Sequence, residues 1–174
     1  GNGQAELIKA VSGETRLAAR DNTCIRMKGQ PIGTSRPSVR RAEGLAFVPE
    51  DRLGRGAVPA LSLSGNALLT APREKIAPRG MIDFTAVRTL AASIIQQYDV
   101  RCSGPDALAR SLSGGNLQKF IVGRETSLLP SILLVAQPTW GVDVGATAAI
   151  RQKLIDLAEG GAAVLVVSDD LDEL

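Results

Sequence analysis

The strongest constraint on this chain is the stretch R-S-L-S-G-G-N-L-Q-K-F-I-V-G at residues 110–123. Ser113, Gly114 and Gly115 stand directly before apolar residues at helical spacing, Leu117, Phe120 and Ile121. A hydroxyl, two small backbone units and a helix N-terminus therefore converge on one point. Unpaired N–H groups and the positive end of the helix dipole make such a point attractive to an anion.

The remaining totals bound the chain without naming a partner. With 174 residues and 44% apolar side chains it is long enough for one domain with a substantial core, and 3% aromatics means that aliphatic packing builds it. Twenty basic against eighteen acidic residues leave +2, too balanced for a nucleic-acid surface. There is no histidine, which excludes an imidazole base, switch or metal ligand. Cys24 and Cys102 lie far apart without a metal spacing and read as free thiols in a reducing compartment. No apolar run approaches a membrane span and no signal peptide opens the chain, so a soluble, cytoplasmic protein is expected.

In chain order, residues 1–7, G-N-G-Q-A-E-L, fit either an ordinary turn before a helix or the second half of a phosphate loop, G-x-x-x-x-G-K-[S/T]. Residues 23–27 alternate and predict an edge strand, turned by Gly29, Gln30 and Pro31. A short basic helix is expected over residues 37–42, and the apolar run 45–48 closed by Pro49 predicts a buried parallel strand. Glu50, Asp51 and Arg52 follow at the end where open α/β sheets bind ligands, unless they form a solvated charged turn. Residues 53–130 turn to helical periodicity. There Asp83 is expected to cap a helix with Phe84, Val87, Leu90, Ala91, Ile94, Ile95 and Tyr98 on its core face. Residues 132–135, 145–159 and 163–167 then read as buried strand, helix and buried strand, a parallel unit with a right-handed crossover.

Taken together, L-S-G-G-N-L-Q at 112–118, P-T-W-G-V-D at 138–143 and the broken phosphate loop at Gly1 resemble the ATPase domain of ABC transporters. The likeness is closer to the second ATPase half of tandem subunits that serve bacterial simple-sugar and nucleoside importers. It runs in order over essentially the whole chain and includes Glu50, Asp51, Arg52 and the residues 140–146. The resemblance implies an α/β fold, a RecA-like P-loop NTPase core with a parallel sheet and an inserted helical subdomain, truncated at both ends. Residues 1–50 and 131–174 would form the core, and 51–130 the helical subdomain carrying the signature motif. It also implies two such domains meeting head to tail, so that each ATP lies between one domain's phosphate loop and the other's signature.

Residue by residue, the resemblance separates the two faces. In the phosphate loop of Gly1, Asn2, Gly3, Gln4 and Ala5, Gln4 replaces the lysine and Ala5 the hydroxyl that reaches magnesium. Ala136 stands at the magnesium-associated aspartate, Gln137 at the catalytic glutamate, Asp169 at the switch histidine and Glu50 at the glutamine of the metal and attacking water. A methyl group holds no metal water and an amide takes no proton, so no intact catalytic residue or metal site is expected. Ser113, Gly114, Gly115, Asn116 and Gln118 keep the signature, expected to bind nucleotide in trans. Asp143 matches the loop between the two nucleotide domains, or caps the next helix. Glu50, Asp51 and Arg52 match a joint toward the membrane subunit, and Trp140 fits either the domain interface or a core contact.

ATP and Mg2+ are thus expected in the full transporter and none on this fragment. The partners implied are a second ATPase domain in the same full-length chain, transmembrane permease subunits and, indirectly, a solute-binding protein. The domain would lie peripherally at the inner face of the cell membrane. The alternatives are a working ATPase with unusual residues, a chromosome-type clamp disfavoured by the absence of long heptads, and a purely structural docking domain.

Overall fold

The computed structural model describes residues 3–78 and 80–169. Gly1 and Asn2 of the expected phosphate loop lie outside them. The elements are α1 (Gln4–Ser12), β1 (Arg26–Met27), β2 (Gln30–Pro31), α2 (Pro37–Ala42), β3 (Leu45–Val48), α3 (Leu63–Leu68), α4 (Arg73–Ile76), α5 (Phe84–Gln97), α6 (Gly114–Thr126), β4 (Ile132–Ala136), α7 (Val144–Glu159) and β5 (Ala163–Val167). The strands β3, β4 and β5 form a parallel sheet in that order, with Val48 opposite Val135 and Ala136 opposite Val167. It is the α/β arrangement expected from the sequence.

The central strand is the apolar one. Leu133, Leu134 and Val135 are wholly buried, as a strand covered on both faces requires. One face meets α6 and α7 through Leu117, Phe120, Ile121 and Ile150, in a cluster that continues into Leu63, Ala91 and Ile94 of the inserted helices. On the other face Ile8 of α1 packs against Leu134 and Ala136. Arg40 of α2, itself fully buried, ties down the end of α1: its guanidinium donates to the carbonyls of Ala10, Val11, Gly33 and Ser35. Carbonyls left open at a helix C-terminus are thereby satisfied.

Four expectations need correction. Residues 23 and 24 belong to a 3-10 helix, Ala19–Cys24, and the strand begins at Arg26. The hairpin that follows turns on Lys28 and Gly29, both at positive φ, with Gln30 and Pro31 already in β2. Phe84 points outward at 67% exposure, because the first turn of α5 projects beyond the core and burial starts at Val87. β5 is not buried: it pairs with β4 on one side, and Ala163 and Leu165 are exposed. Cys24 and Cys102 are free thiols, as expected.

Helix α6 is enclosed almost all round, with nine of its 13 residues buried. Its last turn carries charge into the interior. Glu125, with no exposed surface, accepts from Arg124 Nε at 2.9 Å and Arg41 Nη1 at 2.7 Å. Arg124 also donates to the carbonyls of Gly56 and Asn66, locking the segment after β3 onto the helix. Asn66, buried without a signal in the sequence, does the same for the turn before α3, accepting from Val58 N and donating to Val58 O.

Helix starts are capped as their sequences dictate: Ser62 accepts from Gly65 N, Asp83 from Thr85 N and Ala86 N, and Asp143 from Ala146 N at 3.0 Å. That last bond is the chief cause holding the Asp143 carboxyl below its usual range, with Lys119 and Arg101 adding positive field.

Two outcomes follow for stability. Glu125→Ala strands the buried Arg124 charge and should cost about 3–5 kcal/mol, read as a lower urea midpoint at unchanged slope. For Asp143 the folded pKa is depressed, so the charged cap stabilises above the ordinary carboxylate range and its contribution is lost as pH falls through the lowered folded value. The urea-midpoint gap between wild type and Asp143→Ala should be full at neutral pH and narrow below about pH 4; a gap that widens in acid would contradict this assignment.

Candidate functional site

At the carboxyl ends of β3, β4 and β5, Glu50, Gln137, Trp140 and Asp169 line one cleft of about 490 Å3. Three of these residues, 50, 137 and 169, are far apart in sequence, and parallel topology is what brings their strand ends together. Gln137 is the first residue past β4 and sits at φ +50°, which turns its side chain toward the end of β5. Its N–H donates to the carbonyl of Val167 at 2.8 Å, and its Oε1 accepts from Ser168 Oγ at 3.3 Å and Asp169 N at 3.4 Å. The amide thus ties the ends of two strands.

The groups around this cleft offer a phosphate no cation among the described residues. Ala136 is 2% exposed and packs with Ile8 and Leu134, so its position offers a buried methyl group. Gln4 and Ala5 are exposed at the start of α1, which Gly3 opens in the left-handed region without a side-chain cap. Two carboxylates and an amide line the cleft, and no lysine or arginine joins them among the described residues. Nor do the described residues contain a group of three His, Cys, Asp or Glu side chains that could hold a metal.

The second group lies at the start of α6. Ser113 is the N-cap, and its Oγ accepts from Asn116 Nδ2 at 3.0 Å and Asn116 N at 3.4 Å. With both lone pairs used, the hydroxyl proton is left to donate. The N–H groups of Gly114 and Gly115 have no acceptor among the described residues, as expected for the first turn of a helix. Asn116 is itself fixed, since its Oδ1 accepts from Arg101 N at 2.8 Å. Asn116, Asp143, Arg101 and Lys119 line a common cavity of about 410 Å3, so the signature and the Asp143 loop meet there.

Gln118 does not join this outward-facing group. It is 1% exposed, donates from Nε2 to the carbonyl of Pro138 and accepts at Oε1 from Arg52 Nε. The signal was present in its spacing: residue 118 lies three before Ile121 and so turns to the same buried face. Trp140 is 67% exposed beside the strand-end cleft, which removes the reading of a core contact. Asp51 lies near Arg55, which pairs with Glu14 at 2.7 Å and covers the ring of Phe47. Arg52, unassigned beyond the charged joint, turns instead to α6, and partial burial lowers its pKa from the ordinary value.

No family model matches the chain. Individual proteins do. Over the full length of this chain, the nucleoside import ATP-binding protein NupA of Lactococcus lactis is 39% identical, the guanosine import ATP-binding protein NupO of Bacillus subtilis 39%, and the glucose import ATP-binding protein TsgD13 of Haloferax volcanii 38%. The chain spans 34%, 34% and 32% of those proteins, about a third of their length. Among solved structures, a dimeric ATP-binding cassette in a post-hydrolysis state, bound to ADP and Pi, superposes with a TM-score of 0.75 over 98% of this chain and 72% of that one, at 19% identity. Parallel sheet, inserted helices and sequence likeness along the whole chain agree, and the chain is an ABC transporter ATP-binding domain.

Proposed function

We propose that this domain serves a sugar or nucleoside importer, holds little or no catalytic power at its own nucleotide position, and completes the ATP site of a competent partner domain. The observation that carries the reading is the lining of the strand-end cleft: Glu50, Gln137 and Asp169 put two carboxylates and an amide where a triphosphate would need cations. A polyanion entering a site of like charge without a counterion is repelled, and the repulsion grows as water is excluded. Ala136 adds no ligand, and Gln137, already tied to Ser168 and Asp169, cannot accept a proton.

The signature face has the opposite chemistry. Ser113 has a hydroxyl proton to give, Gly114 and Gly115 have open N–H groups, and the helix dipole adds a positive end. In trans, these donors would meet the terminal phosphate of an ATP held by the partner's phosphate loop. Mg2+ would sit with that nucleotide, on the partner's residues.

The chain spans about a third of its curated relatives, which leaves room in a full-length subunit for the competent domain. Solute choice comes to this chain only from the names of those relatives, which import nucleosides, guanosine or glucose. The other partners in this reading are transmembrane permease subunits and, through them, a solute-binding protein. No described helix is long and apolar enough to cross a membrane, in keeping with a place at the membrane's inner face.

Ser113→Arg in the full-length subunit with its membrane partners should abolish both ATPase activity and transport. Retention of both would refute the reading. Gln137→Glu alone should leave this domain's own site inactive, since Gln4, Ala5 and Ala136 are unchanged; single-turnover hydrolysis with the partner site disabled measures it.

A further inference from the structure

A primary amide removed from water is destabilising unless both its ends are paired. Gln118, 1% exposed, meets that condition by bridging three parts of the chain. It belongs to α6, its Nε2 reaches the Pro138 carbonyl at 2.9 Å, and its Oε1 receives Arg52 Nε at 3.1 Å. The loop holding Arg52 also carries Glu50, the loop holding Pro138 also carries Gln137, and the helix starts with Ser113 and Gly114. One side chain thus connects the strand-end cleft with the signature face.

Arg52 carries that connection to the helix start. A Cβ built on Gly114 would stand 2.6 Å from Arg52 Nη1, and one built on Gly141 3.6 Å from Nη1 and Nη2. The guanidinium is therefore seated between the first residue of α6 and the loop after β4, and its Nε is held by Gln118. Only an amide serves both ends: methionine offers neither bond, lysine has no acceptor, and a carboxylate would set oxygen against the Pro138 carbonyl.

We propose that Gln118 is a positioning residue for the signature face. It fixes the start of α6 against the loops that follow β3 and β4, so that Ser113, Gly114 and Gly115 stand in register for a phosphate arriving from a partner domain. This inference rests on the reading of that face as a donor in trans.

The test measures ATPase kcat and KM in the full-length subunit with its membrane partners, for wild type, Gln118→Met, Arg52→Met, the double variant and Ser113→Arg. Gln118→Met should lower kcat about 10- to 100-fold, the penalty of a small misplacement at a reacting centre. KM for ATP should stay within about twofold, because the partner's phosphate loop holds the nucleotide. Arg52→Met should also lower kcat, and the double variant should be no slower than Gln118→Met, since both break one tie. If Gln118→Met does not fold, Arg52→Met at the half-exposed end decides alone. Wild-type kcat in these variants, a raised KM at unchanged kcat, or fully additive losses would overturn the positioning role while Ser113→Arg remains inactive. Wild-type kcat in Ser113→Arg as well would overturn the donor reading beneath it.

Discussion

Burial of α6 is the constraint from which the rest of the arrangement follows. A helix with nine of 13 residues inside cannot be an ornament on one face of a sheet; β3, α5 and α7 must all pack against it. Leu117, Phe120 and Ile121 supply the apolar contact, but the helix also takes Gln118, Arg124, Glu125 and Thr126 out of water. Each of those polar groups fixes something beyond the helix. Gln118 holds the loops after β3 and β4, Arg124 the segment at Gly56, and Glu125 the side chain of Arg41. Position at the helix start is therefore inherited from bonds made further along it.

Strands and helices with one dominant pattern were legible in the sequence. The apolar run after Gly44 gave β3 to the residue, the short basic helix had its predicted ends, and the Asp83 cap opened α5 where expected. The misses share a physical cause, namely that periodicity reports a preference and not a neighbour. β5 has the composition of a buried strand, yet its burial depends on what pairs with its outer edge. Phe84 fits the stripe of α5, yet the core does not extend under the first helical turn. The Lys28–Gly29 turn needed two residues at positive φ, and lysine gives no hint of that.

For the candidate site, the sequence located residues better than it located their directions. Glu50, Gln137 and Asp169 meet because parallel strands deliver their ends to one rim, a consequence of topology alone. Gln118 and Arg52 form their contact across 66 residues of sequence, between one side chain expected in the nucleotide-facing signature and another expected in a joint toward the membrane subunit. A pairing of that kind is set by packing of α6 against the loop, which no local spacing encodes.

The same packing shows what alanine at position 136 does for the fold. Ala136 lies at 2% exposure between the central strand and Ile8 of α1, in a wholly apolar contact. A carboxylate at that position would be removed from water and would need a cation beside it to be tolerated. Gln4 and Ala5, at the nearby start of α1, offer no charge to pair with one. With alanine the contact needs nothing further: a methyl group docks α1 on the sheet, and Leu134 and Ile8 close around it. The signature face draws on none of these residues, since its geometry comes through Asn116, Gln118 and Arg52. The docking of α1 at Ala136 and the setting of the signature face thus rest on separate contacts, the first apolar and the second made through the Gln118 amide.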